Sequence, residues 1–444
     1  MSGRNRPPEW ERDDSRPRAV LVGVDRGPGE WPLEDSLAEL KLLARTADIE
    51  PVAVATQRLD KVNPRTFIGS GKAEEIAARA AETEASIVVF DDDLSPRQQA
   101  NLESMIPKVR IMDRTTLILD IFAMHAVSRE GKLQVELAQL EYLLPRLRGL
   151  WGHLERERLG GGRGARFGAG ESQLETDRRL ARRRIADLKR ELADVASARE
   201  TQRKSRAQSG VFRVALVGYT NAGKSTLLNT LTGADALSYD MLFATLDSTT
   251  RRLVLGDGRE VTLTDTVGFI NKLPHGLVEA FKSTLAEVTG ADLLLHVVDA
   301  SHPLAHPQMS AVDLVLEEVG ATGLPSLLVF NKVDALESEE RDRLAARHPD
   351  AVFVSALTGE GVETLLERLS REATRGGRTL TALVPYTRGD LVQLAHERAH
   401  VVSEHHTGEG TRLVVQASSE VASRLSEFET APSSSAPGTP AGEE

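Results

Sequence analysis

Gly218-Tyr219-Thr220-Asn221-Ala222-Gly223-Lys224-Ser225 satisfies the pattern G-x-x-x-x-G-K-[ST] at every fixed position. Phe212 to Val217 before it is a short β-branched run that reads as a buried strand, and Ser225 to Thr232 continues at helical spacing. A strand, a glycine-bearing loop and a helix in that order place backbone N–H groups and the positive end of a helix around one point, which suits a nucleotide phosphate. Lys224 is expected to reach the β- and γ-phosphate oxygens, and Ser225 to coordinate Mg²⁺. The rest of the chain is read outward from this loop.

Downstream, Val261 to Thr264 reads as a strand ending in Asp265-Thr266-Val267-Gly268. Asp265 is placed to hold Mg²⁺ through water, and Gly268 to offer its N–H to the γ-phosphate. The strand Ser326 to Phe330 ends in Asn331-Lys332-Val333-Asp334, and N-K-x-D selects guanine. The Asp334 carboxylate can accept from both N1–H and the exocyclic amine, a donor pair that adenine lacks. Ser355-Ala356-Leu357 follows a further short strand and is expected to offer a backbone N–H to guanine O6. Between the phosphate loop and Asp265 lies Phe243-Ala244-Thr245-Leu246-Asp247, a segment expected at the nucleotide, where Thr245 is the expected sensor of the γ-phosphate, closing onto Mg²⁺ and releasing after hydrolysis. Thr249 and Thr250 are the alternatives, and an ordinary surface loop is the plainer reading. The set, in this order at successive strand ends, resembles the translation-factor-related branch of P-loop GTPases. Phe269 stands where a water-orienting glutamine is expected, so the isolated protein should hydrolyse GTP slowly and need a partner or a cation. Asn221 makes K⁺ a candidate second cation.

At 444 residues the chain exceeds one hydrophobic core. The expected organisation is multidomain α/β. Residues 1–17 and 430–444 read as disordered; 18–130 as an N-terminal parallel α/β domain; 131–208 as a helical hairpin; 211–374 as the GTPase domain; and 379–429 as a small C-terminal α+β domain. In the hairpin, Leu133, Leu137, Leu140, Leu144, Leu147, Trp151 and Leu154 recur at spacings of four and three, and Ile185, Leu188, Leu192 and Val195 repeat the seam after a glycine-rich break. Each arm is expected to be on the order of 35 Å long, with Pro145 as a candidate kink.

The net charge is −11, yet residues 151–210 carry 15 Lys and Arg against 9 Asp and Glu. An acidic body is no general polyanion binder, whereas a basic arm upon it suits selective docking to RNA. Arg163, Arg166 and Phe167, in the break, are the candidate RNA contacts; a solvated flexible loop is the plainer alternative. There is no cysteine, which removes thiolate metal sites and disulfides. No run of about 18 apolar residues marks a membrane span. His396-Glu397-Arg398-Ala399-His400 matches H-E-x-x-H, which leaves a zinc hydrolase as a remote alternative. Gly69-Ser70-Gly71-Lys72 resembles half a phosphate loop and is read as a helix start.

The domain order, the stretch Gln173-Leu174-Glu175-Thr176-Asp177-Arg178-Arg179 and the Phe-Ala-Thr-Leu-Asp segment resemble the HflX family of ribosome-associated GTPases over residues 18 to about 428. The resemblance implies a monomeric cytoplasmic GTPase, with a peripheral place at the membrane as the alternative. It implies binding of GTP and GDP and of the 50S ribosomal subunit with its rRNA, not DNA. It also implies splitting or rescue of stalled or idle ribosomes under stress, with ribosome-stimulated hydrolysis. A GTPase acting in ribosome assembly or RNA modification is the runner-up.

Overall fold

The computed structural model describes residues 16–27, 31–146, 170–207, 211–234, 242–243, 246–272, 274, 277, 282–375, 378–417 and 419–430. The proposed tip contacts Arg163, Arg166 and Phe167, the switch residues Ala244 and Thr245, and the seam residues Leu147, Trp151 and Leu154 lie outside the described residues, as do nearly all of the two terminal segments.

The N-terminal part is a β-α repeat: β1 Arg18–Asp25, α1 Leu33–Thr46, β2 Glu50–Arg58, α2 Ser70–Glu82, β3 Ile87–Phe90, α3 Pro96–Met105, β4 Arg110–Asp113 and α4 Arg114–His125. The strands are all parallel, in the order β2-β1-β3-β4. Local chemistry sets the helix starts. Ser95 and Gln98 form a capping box with Pro96 at the first helical position of α3, and Asp113 accepts from Thr116 N–H at the head of α4. Gly69 lacks a side-chain cap at the head of α2, and Lys72 pairs with Glu75 at 2.6 Å, as for an ordinary helix start.

Two helices follow, α5 Arg129–Leu143 and α6 Gly170–Ala207. Pro145 sits in a 3₁₀ turn, Leu144–Arg146, directly after α5. Leu133 and Leu137 of α5 meet Leu188 of α6, with Leu140, Ile185 and Leu192 around them, so the expected seam forms where it is described. Glu136 with Arg184 (2.7 Å) and Glu141 with Lys189 (2.8 Å) flank it. The 38 residues of α6 make it about 57 Å long, more than the expected 35 Å, and the 15 of α5 span about 22 Å before the described residues end at 146.

The GTPase domain contains β5 Phe212–Gly218, α7 Lys224–Thr232, β6 Thr249–Val254, β7 Glu260–Asp265, α8 Lys282–Thr289, β8 Leu293–Asp299, α9 Ala305–Glu318, β9 Ser326–Asn331, α10 Ser338–Arg347, β10 Val352–Phe353 and α11 Val362–Arg375. The sheet order is β10-β9-β8-β5-β7-β6, with only β6 antiparallel to its neighbour. Thr249 and Thr250 belong to β6, where the Thr250 hydroxyl pairs with that of Thr264 at 3.0 Å.

The C-terminal part has β11 Arg378–Val384, α12 Gly389–Arg398, β12 Ala399–Thr407, β13 Gly410–Ala417 and α13 Ser419–Leu425, with an antiparallel sheet ordered β11-β13-β12. Here the helix ends at Arg398 and His400 is in the strand β12, so His396 and His400 do not share a helix. The geometry that H-E-x-x-H needs is absent. His396 Nε2 lies instead 2.9 Å from Glu404 of β12, and no cluster of three His, Asp or Glu suited to a metal occurs among the described residues. Among those residues, no helix is long and apolar enough to cross a membrane.

One hydrophobic core joins the first and third parts. Leu40 of α1, Phe122 of α4 and Val135 of α5 belong to the same buried cluster as Tyr219, Phe243, Leu246, Phe269 and Ile270. The rings of Phe122 and Phe243 meet edge to face, 4.7 Å between centroids.

Candidate nucleotide site

The phosphate loop hangs between the end of β5 and the start of α7. Gly218 and Gly223 are glycine for a spatial reason, since a Cβ at the first would collide with Val297 O and at the second with the Asn331 amide. Gly223 also takes φ +90° and serves as the N-cap of α7. Asn221 takes φ +60°, a region asparagine tolerates better than most residues. Lys224 is buried, and its ammonium donates to Gly218 O (3.1 Å) and Tyr219 O (2.9 Å). Burial pulls its pKa down to about 8, against the opposing pull of the Asp265 carboxylate.

Asp265 ends β7 beside the loop, and Ser225 Oγ donates to Asp265 Oδ2 at 2.6 Å. A hydroxyl and a carboxylate converging at a helix N-terminus form a hard oxygen donor set that fits Mg²⁺. Thr266 Oγ1 donates to Leu216 O at 2.6 Å, anchoring the segment that follows. At Gly268 a Cβ would stand 2.9 Å from Thr220 Cα and 3.1 Å from Lys224 Nζ, so only glycine admits this close approach. Thr220 N–H donates to Phe269 O (2.7 Å) and Phe269 N–H to Gly218 O (3.1 Å), which stitches the D-x-x-G turn to the loop. The Phe269 side chain is buried in the shared core. It carries no amide that could orient water.

The residues expected to select the base gather on the same edge. Asn331 is buried at the end of β9, where Nδ2 donates to Ala222 O and Oδ1 accepts from Ala356 N–H, both at 2.9 Å. It therefore fastens the phosphate loop to the Ser355-Ala356-Leu357 turn. Lys332 takes φ +64° and pairs with Asp299 at 2.7 Å, while Val333 is buried. Asp334 stands exposed on the following 3₁₀ turn. Ser355 is fully buried, its N–H donating to Glu360 O (2.9 Å) and its Oγ accepting from Thr358 N–H (3.1 Å), whereas Leu357 is exposed.

Three residues expected at the nucleotide have side chains engaged elsewhere. Phe243 and Leu246 are in the shared core. Asp247 spends both carboxylate oxygens on the head of α5, accepting from Val127 N–H (2.9 Å), Ser128 N–H (2.7 Å) and the Ser128 hydroxyl.

Sequence reasoning also missed a polar network reaching the loop from the N-terminal sheet. Tyr219 donates to Glu39 Oε1 (2.5 Å), accepts from Asn271 N–H (2.7 Å) and stacks on Trp31. Burial, with the Glu39 carboxylate next, holds its phenol well above the usual range. Arg114, itself buried, pairs with Glu39 and, at 2.8 Å, with Asp91. Lys272 shares the Asp91 carboxylate at 2.6 Å and also reaches Asp92 at 3.0 Å. Burial pushes the Asp91 carboxyl up, but the Arg114 and Lys272 charges outweigh it, and the group ends below the ordinary range. Glu39, Asp91, Asp92, Arg114 and Lys272 read as plain surface charges in sequence; only the docking of the two parts reveals the network.

Three family profiles cover most of the chain: "GTP-binding GTPase N-terminal" over residues 34–123, "GTP-binding GTPase Middle Region" over 125–206 and "50S ribosome-binding GTPase" over 213–332. The GTPase HflX of Caldanaerobacter subterraneus is 46% identical over 424 residues, 95% of each chain. That of Escherichia coli K12 is 48% identical over 372 residues, 82% of this chain and 86% of its own. Among solved structures, the SsGBP–GDP complex is 25% identical, with a TM-score of 0.45, and covers 81% of this chain and 99% of its own. With a phosphate loop, a D-x-x-G turn and an N-K-x-D edge in place, and relatives matched almost end to end, the chain belongs to the HflX family of GTPases.

Proposed function

We propose that this GTP-hydrolysing enzyme binds the large ribosomal subunit and, in its GTP state, splits or rescues stalled or idle ribosomes, its hydrolysis being stimulated by the subunit. In this reading the loop 218–225 holds the β-phosphate, Lys224 and Gly268 address the γ-phosphate, Asn331, Asp334 and Ala356 select guanine, and Ser225 holds Mg²⁺ with Asp265 acting through water. When bound, that ion neutralises charge on the transferring phosphoryl group. The observation that carries the reading is Phe269, buried where a water-orienting side chain is needed. A site assembled for GTP yet lacking that group requires completion from outside. The basic α6 and the profile named for 50S binding point to the ribosome as the source. RNA contacts by Arg163, Arg166 and Phe167, closure of Thr245, a K⁺ held near Asn221, and cytoplasmic, monomeric action belong to the same proposal.

The test is GTP turnover with and without purified 50S subunits, run in Na⁺ and K⁺ buffers, together with sedimentation of 70S ribosomes. Strong stimulation with release of free subunits supports the reading. Stimulation without release favours an assembly or modification factor, and turnover indifferent to 50S overturns it.

A further inference from the structure

We propose that Asp247 is a positioning residue that latches the nucleotide-sensing segment to the first arm helix, so that the nucleotide state sets the orientation of the arm. The inference deepens the functional reading above by naming the joint through which the GTPase site addresses the arm.

The head of α5 has its own hydroxyl cap, with Ser128 Oγ accepting from Gly131 N–H at 2.9 Å. Its remaining donors at 127 and 128 go to Asp247, a residue 119 positions away in sequence that belongs to the other domain. A carboxylate at the positive end of a helix gains from the helix dipole as well as from the hydrogen bonds. A second observation shows that the socket is shaped for this side chain. At Gly131 a Cβ would stand 2.6 Å from Asp247 Oδ1, so the first turn of α5 is glycine where the carboxylate enters. The neighbours of Asp247 reinforce the joint, because Leu246 is buried and Phe243 packs against Phe122 at the end of α4.

The connectivity gives the latch its consequence. Asp247 lies two residues after Thr245 and two before β6, so little chain separates the sensing position from a sheet strand. A displacement of this segment that carries Asp247 either strips the Val127 and Ser128 N–H groups of their acceptor or moves α5 with it. Through the Leu133, Leu137 and Leu188 contacts, moving α5 swings the longer α6.

The absence of cysteine permits clean paired spin labels at Arg190→Cys, on an exposed position of α6, and Glu339→Cys, on the GTPase domain. Interspin distances are measured in the full chain with GDP and with a non-hydrolysable GTP analogue, in the parent, in Gly131→Ala and in Ser128→Ala. The expected result is a nucleotide-dependent shift in the parent that is lost or smeared in Gly131→Ala, whose guanine-nucleotide affinity stays at the parent level. Ser128→Ala, which adds no bulk, should reduce the shift and serves if Gly131→Ala misfolds. No shift in the parent, or the full parental shift in both variants, overturns the latch. Ribosomes are absent from the assay, so its outcome is independent of whether 50S subunits stimulate hydrolysis.

Discussion

Asn331 and Ala222 are joined by a 2.9 Å hydrogen bond that ties the end of β9 to the phosphate loop, and the same amide holds Ala356 N–H on its other side. Replacing Asn331 by alanine strands a buried carbonyl and a buried N–H, at about 1–3 kcal/mol each. Asn331→Ala should lower the stability of the nucleotide-free protein by roughly 2–6 kcal/mol and weaken GDP binding at least tenfold. Denaturant unfolding and fluorescent-GDP titration check the two effects. Parental affinity would show that the loop holds its shape without this tie.

Lys224 leads to a proton-linkage prediction. Its folded pKa of about 8 lies below the unfolded value, so between those two the unfolded chain holds the extra proton and stability rises with pH. Phosphate oxygens beside the ammonium favour its charged form, so GDP binding near pH 8 should take up about half a proton. Calorimetric titration in buffers of different ionisation enthalpy reads the uptake. Identical heats across buffers refute it, and Lys224→Met should abolish it.

Phe269→Gln should not create a faster GTPase. The side chain points into the core shared with the N-terminal part, so an amide there is buried rather than presented to the phosphates. Loss of the ring and burial of a polar group together cost about 3–5 kcal/mol. Single-turnover hydrolysis without ribosomes should remain slow while the unfolding midpoint falls; a large rate increase contradicts the placement.

The Asp91 network sets an acid limit. The folded carboxyl titrates below its unfolded value, so its contribution is present above that value and is lost as pH falls through the folded one. Lys272→Met removes one of the two charges holding it down and should shift acid unfolding to higher pH. Asp91→Ala leaves Arg114 buried with one partner fewer and should cost about 3–5 kcal/mol at neutral pH. Circular dichroism across pH 2–7 measures both, and an unchanged acid midpoint for Lys272→Met dismisses the linkage.

The parts of this molecule legible in sequence are those written in local backbone chemistry. Gly218, Gly223 and Asn331 are the residue types their positions demand, and the alternating runs of residues 18–125 announce a parallel sheet because β1 and β3 are buried on both faces. β6 escaped notice because only Leu253 of its six residues is buried, leaving no apolar period to read. β12 was hidden because the His396-to-His400 spacing continues a helical pattern past Arg398, although Val401 and Val402 favour a strand. The placements of Tyr219, Asp247 and Lys272 depend on which surfaces meet, and no single stretch of chain encodes that.

The common core has a practical meaning for dissection. A fragment starting at residue 211 keeps every phosphate- and base-recognition motif, yet it strips the covering from Tyr219, Phe243, Phe269 and Ile270. Such a piece should be sticky and poorly folded, and catalytic numbers measured on it would describe bared switch surfaces instead of the enzyme. Where this chain divides by sequence is not where it divides by packing.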